Sequence, residues 1–193
     1  MKQLLGSNII VTCWIVLVVM LAGACRGEEK SESELAAEAL DRGLQAHVAG
    51  DLDKAAGEYR TSLDHDPRNK FAFYNLGVIE QSAGRTQEAE NNYRLALNID
   101  SNYTPALFNL AILRASLGST QEAIDLYRHV VELEPDNAGA HLNLGIALHQ
   151  MNQQAEGDAE LLRASELDPT LAIPSFETPE PSIDPQETAS PTP

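Results

Sequence analysis

The chain has 193 residues and a formal net charge of −16, with 29 acidic side chains against 13 lysines and arginines. An acidic body of that kind repels phosphate backbones and argues against a nucleic-acid partner. Only two cysteines are present, Cys13 and Cys25, so no disulfide framework or CxxC metal site can be assembled, and the fold must stand on packing alone.

In chain order, residues 1–8 carry one cation, Lys2, and residues 9–24 form an uncharged run of 16. A bilayer-spanning helix prefers about 20 apolar residues, whereas 16 is near the length of a signal-peptide core. The run closes on Leu21, Ala22, Gly23 and Ala24 directly before Cys25. Small side chains suit a peptidase cleft, and the thiol is a nucleophile for alkylation. These residues resemble a bacterial lipobox, with Ala22 where a leucine is usual. The resemblance implies lipidation of Cys25, so that acyl chains anchor the protein without a span. An uncleaved signal-anchor and an ordinary cleaved signal are the alternatives. All three place the body on the extracytoplasmic side, periplasm or cell surface, and the first two hold it at a membrane. Residues 25–35 then read as a polar tether.

A self-comparison at a shift of 34 aligns Gly50, Gly84 and Gly118 with Asn152. The same shift aligns Ala55, Ala89, Ala123 and Gly157, and also Tyr59, Tyr93, Tyr127 and Leu161. It aligns Gly43, Gly77, Ala111 and Gly145, and closes on Pro67, Ser101, Pro135 and Pro169. Four units follow without an insertion, 36–69, 70–103, 104–137 and 138–171. Each reads as an apolar-periodic helix, a turn, a second helix and a stop. Gly50, Gly84 and Gly118 can take the positive φ that ends a first helix. The acidic residues before Pro67, Pro135 and Pro169 are pushed out of helical geometry and end the second. The small columns let the two helices of a hairpin approach closely, and stacked hairpins share a core that one hairpin cannot form.

These columns resemble the tetratricopeptide repeat, whose pattern is carried best by Phe73, Leu76, Gly77, Ala89, Tyr93 and Ala96. The resemblance covers 36–171 and implies an all-α fold, a right-handed α-solenoid of four helical hairpins. It further implies that the first helix of each hairpin lines a concave face. On that face lies a column of Asp41, Asn75, Asn109 and Asn143. A primary amide both donates and accepts, which suits an extended peptide backbone. The flanking stripes are Leu40, Tyr74, Phe108 and Leu142, and Leu44, Val78, Ile112 and Ile146. The candidate peptide-binding residues are therefore Tyr74, Asn75, Val78, Phe108, Asn109, Ile112, Leu142, Asn143 and Ile146. Family members that clamp a chaperone's terminal carboxylates place cations here, whereas this chain has Ala37, Asp41, Phe71, Pro105 and Asn109.

Glu80 and Arg114, 34 apart, are candidates for pairing across a repeat boundary; Arg42, where a leucine is expected, either marks the first hairpin as an atypical end cap or meets a neighbouring carboxylate. The five histidines, His47, His65, His129, His141 and His149, have no metal-ligand spacing, and no phosphate loop or nucleophile elbow occurs. The expected protein is a non-catalytic scaffold without metal or cofactor, binding a protein or extended peptide at the cell envelope; the alternatives are a structural, self-associating envelope protein and a regulatory subunit of a separate enzyme. Residues 172–193 hold six prolines, four acids and no cation, and should be disordered or polyproline-like. Leu171, Ile173 and Phe176 are candidates for a minimal cap. Without it, Leu161, Leu162 and Leu167 would form an open face for a homodimer through the C-terminal hairpin.

Overall fold

Ser31 opens the first helix with a capping box: its hydroxyl accepts the Glu34 N–H, and the Glu34 carboxylate accepts the Ser31 N–H at 2.8 Å. A computed structural model describes residues 29–176, which contain eight helices and no strand. They are α1 (Glu32–Val48), α2 (Leu52–His65), α3 (Lys70–Ser82), α4 (Thr86–Ile99), α5 (Thr104–Ser116), α6 (Thr120–Leu133), α7 (Ala138–Gln150) and α8 (Gln154–Leu167). The expected tether to residue 28, Cys25 and the 9–24 run lie outside the described residues. Among those described, no helix is long and apolar enough to cross a membrane.

The stops sit where the repeat columns put them. Gly50, Gly84 and Gly118 have φ of 80°, 73° and 77°, and Asn152 in the fourth place has 60°. Asp66, Asp100 and Asp168 leave their helices extended, and Glu134 leaves with a similar φ, all four between −130° and −140°. Asp100 does so before Ser101 as the others do before proline, so proline reinforces this geometry without being needed for it.

The chain divides into two units, Met1–Ala72 and Phe73–Pro193. In the first, α1 packs on α2 through Ala36, Ala39, Ala46, Ala55, Ala56 and Tyr59, all buried. A Cβ on Gly43 would lie 2.5 Å from the Tyr59 ring, so the aromatic column presses directly on the small column. Arg42, as expected, meets a carboxylate: its Nε donates to Glu58 Oε2 at 2.8 Å. In the second unit, Tyr93 lies against Gly77 in the same way. Ala111, Ala123, Ile124, Tyr127, Leu144, Ala147 and Leu148 form one core cluster, so the third and fourth hairpins share their interior.

The last hairpin departs from the rest. Leu161 replaces the tyrosine and Gly157 the alanine, and α7 and α8 approach until a Cβ on Gly145 would be 2.9 Å from the Gly157 carbonyl oxygen. Leu161 is therefore inside the hairpin, 6% exposed, and not part of an open face. Of the three leucines expected there, Leu162 alone is exposed, while Leu167 is half-buried. Phe176 returns to the hairpin and stacks on His149, with ring centroids 3.9 Å apart and planes 5° apart.

Candidate peptide-binding face

Helices α3, α5 and α7 carry the candidate residues at equivalent positions, because the period of 34 returns each column to the same face. All nine residues, Tyr74, Asn75, Val78, Phe108, Asn109, Ile112, Leu142, Asn143 and Ile146, are partly buried. The residues directly after the amides, Leu76, Leu110 and Leu144, point to the other side of each helix and are buried. The columns thus form a wall whose back is core and whose front is accessible. Tyr74 and Val78 pack against the cluster of Ala89, Tyr93, Leu110 and Leu113, and Phe108 and Ile112 against that of Tyr127 and Leu144.

The amides are not equivalent. Asn109 Nδ2 donates to the Tyr74 hydroxyl at 3.2 Å, and the same side chain also acts on the Tyr93 phenol, so this amide is engaged within the chain. Asn75 is also engaged. Asn143 pairs with no described side chain. Sequence reasoning treated the column as a uniform ladder, but the neighbouring stripe decides which amide stays available, and a tyrosine precedes the amide only in the second repeat.

Tyr74 is the centre of an aromatic group. Its ring meets Tyr103 edge-on at 5.4 Å and Tyr93 at 6.1 Å, and the Tyr93 hydroxyl donates to Gln81 Oε1 at 2.6 Å. Burial raises the pKa of the Tyr74 hydroxyl against the lowering effect of the Asn109 bond, and burial, with Tyr74 and Asp100 nearby, pushes Tyr103 up to about 12. Burial likewise raises Tyr93. These phenols stay neutral at physiological pH, so they can donate and stack but cannot serve as bases. Tyr103, which precedes α5 outside the periodic columns, was missed by the sequence reading. Among the described residues no group of three His, Cys, Asp or Glu side chains could hold a metal.

Charge is kept off this face. Beyond Phe73, α3 carries only Glu80, α5 only Arg114, and α7 no lysine, arginine, aspartate or glutamate. The second helices are net acidic: Glu88 and Glu90 against Arg94; Glu122, Asp125 and Glu132 against Arg128; Glu156, Asp158, Glu160 and Glu166 against Arg163. Arg114 does not reach Glu80, which takes Arg85 instead. It enters a closed ring. Arg114 meets Glu90 at 3.2 Å and Glu122 at 2.8 Å, and Arg94 meets Glu90 at 2.9 Å and Glu122 at 2.6 Å. The Arg114 Nε proton is not aimed along its 2.8 Å contact, so that pairing is one of charge and not a hydrogen bond. Arg128 repeats the long-range pair with Glu156 at 2.8 Å. The signal was in the sequence, as in-phase columns Arg94/Arg128 and Glu122/Glu156, but reading Arg114 within its own column hid it.

Comparison with known proteins agrees with this architecture. Residues 40–104 match a tetratricopeptide repeat family profile and residues 113–152 a TPR repeat profile. No curated protein matches the sequence. Among solved structures, MamA (residues 41 to end) from Desulfovibrio magneticus RS-1 superposes with a TM-score of 0.66 at 19% identity, over 72% of this chain and 78% of that one. Pseudomonas aeruginosa PilF gives 0.65 at 24% identity, over 74% and 65% respectively. The first TPR of Spaghetti, bound to the HSP90 peptide SRMEEVD, gives 0.60 at 26% identity, over 63% and 97%. The fold is an all-α solenoid of helical hairpins.

Proposed function

From the premise that the chain belongs to the tetratricopeptide-repeat family, we propose that it is a non-catalytic interaction scaffold at the cell envelope. It would hold an extended peptide or partner segment along Asn75, Asn109 and Asn143, flanked by Tyr74, Val78, Phe108, Ile112, Leu142 and Ile146. Residues 1–25 would deliver it to the extracytoplasmic side, with Cys25 as the lipidation site. There it would organise an assembly such as a pilus, secretion or cell-wall complex. The observation that carries this reading is the uncharged, partly accessible wall of amides and rings, in register across three hairpins of an otherwise acidic chain.

The same wall sets what it would not take. The peptide SRMEEVD held by Spaghetti is acidic; at the positions where family members that clamp terminal carboxylates place cations, this chain has Ala37, Asp41, Phe71, Pro105 and Asn109, none of them a cation. Titration calorimetry with that peptide should show no binding at millimolar concentration.

Replacing Asn75, Asn109 and Asn143 together by alanine should abolish partner recovery from solubilised membranes while the helical CD spectrum is retained. Unchanged recovery would refute the peptide-binding face. Mass analysis of the mature N-terminus tests the anchor: any terminus other than a diacylated Cys25 rules out the lipoprotein form.

A further inference from the structure

Of the three turns that join one hairpin to the next, the outer two share their side chains and the middle one departs from them. After Pro67 and after Pro135 an asparagine caps the helix that follows. Asn69 Oδ1 accepts the Ala72 N–H at 3.2 Å at the start of α3, and Asn137 Oδ1 accepts the Ala140 N–H at 3.0 Å at the start of α7. The middle turn, between α4 and α5, has Ser101 in the place of the proline and Tyr103 in the place of the asparagine. Its own asparagine, Asn102, stands one residue earlier, and α5 starts at Tyr103 without a side-chain cap. A local rule broken in one repeat and kept on both sides of it points to a use other than the fold.

We propose that Asn102 is an N-glycosylation site, modified on the extracytoplasmic side by a membrane transferase that draws its glycan from a polyprenyl diphosphate. This rests on the export part of the reading above and not on the peptide-binding face. Asn102-Tyr103-Thr104 is the one place in the sequence where a serine or threonine follows two residues after an asparagine, the acceptor signal for this modification. Bacterial membrane transferases read in addition an acid two places before the asparagine, with no proline between. Asp100 supplies the acid, and Ser101 stands where the other closing turns hold proline.

The folded turn leaves the reacting atom open. Asn102 is exposed, and its carbonyl oxygen is the end of the amide held by the protein, 3.1 Å from His129 Nε2. Nδ2, the other end, has no hydrogen bond among the described residues. The Asn102 N–H donates to Asp100 Oδ1 at 3.0 Å and the Tyr103 N–H to the Asp100 carbonyl at 3.1 Å, which makes a tight turn with this side chain on its outside. In the transfer, Nδ2 attacks the anomeric carbon of the glycan. The Nδ2–C1 bond forms, the C1–O bond to the diphosphate breaks, and the Nδ2 proton passes to a carboxylate of the transferase and then to water. Nothing is oxidised or reduced. The product keeps Oδ1 as an acceptor, so the His129 contact survives. Thr104 donates to Glu134 in the folded chain, so the hydroxyl that the transferase must read is free before the hairpins close. Modification therefore precedes folding, as the chain emerges from the membrane, and the folded turn has only to accommodate a glycan pointing into solvent.

The test uses the full chain, with its own N-terminal segment, recovered from the cells that produce it. The readout is the mass of the tryptic peptide from Leu95 to Arg114. The expected result is a glycan on Asn102, seen as a ladder of sugar losses ending on the bare peptide. It should be present in wild type and in Thr104→Ser and lost in Asn102→Gln and Thr104→Val. A sugar that survives Asn102→Gln is attached elsewhere and would overturn the proposal. Protease added to spheroplasts reports whether the body is exported. A body that is digested, with its peptide wholly unmodified, overturns the proposal and leaves the export reading standing. A body shielded from protease overturns the export reading and this proposal with it. The peptide-binding face fails or stands separately, because the triple variant of Asn75, Asn109 and Asn143 leaves Asn102 intact.

Discussion

A methyl group on Gly145 should damage the protein more than one on Gly77, although both glycines stand in the same column against the second helix of their hairpin. On Gly77 the three atoms nearest the new Cβ all belong to the Tyr93 ring, at 2.6–3.2 Å. A ring can tilt, and the next repeat has an alanine, Ala111, buried at this place in the cluster that contains Tyr127. On Gly145 the Cβ would lie 2.7 Å from Leu161 Cγ and 2.9 Å from the backbone oxygen of Gly157. A carbonyl within a helix yields only if the helix moves, so α7 and α8 must separate. Alanine in place of glycine contributes about 0.8–1.0 kcal/mol of helix propensity in either case. Overpacking costs about 1–3 kcal/mol, with the low end for a ring that can rotate and the high end for backbone against backbone. The net cost is then about 0–1 kcal/mol for Gly77→Ala and about 2 kcal/mol for Gly145→Ala. In a chain of this length 1 kcal/mol moves the melting temperature by about 2–4 °C, so Gly145→Ala should melt roughly 4–8 °C lower. Thermal CD measures the shift, and hydrogen exchange should place the loss of protection in α7 and α8, since repeat arrays open locally. Equal or milder destabilisation by Gly145→Ala would refute the reasoning from backbone contact.

Ser101→Pro should stabilise the chain by about 0.4–1 kcal/mol, read as a higher urea midpoint, because Asp100 already has the extended φ of −140° that a following proline requires. A lower midpoint would show that this closing turn differs from the other three. All five tyrosines have raised pKa values, with burial the first cause in each. A raised phenol pKa means that the fold favours the neutral form; that contribution is complete below the unfolded value near 10 and is lost as pH rises toward the folded values. Absorbance at 295 nm should show little tyrosinate in the folded protein at pH 10, and about half of the phenols ionised in guanidinium at the same pH; matching signals would contradict the burial. Arg114→Met should destabilise by about 2 kcal/mol, less than a fully buried pair, since it leaves the partly shielded Glu90 and Glu122 facing each other with Arg94 alone. Hydrogen bonding from Arg94, then the charge of Arg114, holds the Glu90 pKa below the usual glutamate value. That contribution is present above the unfolded pKa and fades as pH falls through the folded one, so the gap between wild type and variant should narrow in acid. A gap constant from pH 7 to 3 would count against the ion ring.

Helix number, helix ends and the pairing of small with aromatic columns were legible in the sequence because each rests on local rules. A glycine at positive φ, an acidic residue before proline and a 34-residue return of alanine against tyrosine act over one hairpin or within one turn. The candidate face was legible to the same extent: period alone brings Asn75, Asn109 and Asn143 to one side. What each amide can still do was settled by contacts between hairpins, where Asn109 reaches Tyr74 at 3.2 Å. The partners of Arg114 were decided in the same way, by Glu90 and Glu122 on two different second helices rather than by Glu80 in the neighbouring first helix. The end of the array was decided there too, with Leu161 drawn inside by the Gly145–Gly157 approach and Phe176 seated on His149. Repetition in sequence determines which residues share a face, because helical periodicity is a property of one segment. Which of them meet is a property of several segments at once, and only their packing sets those distances.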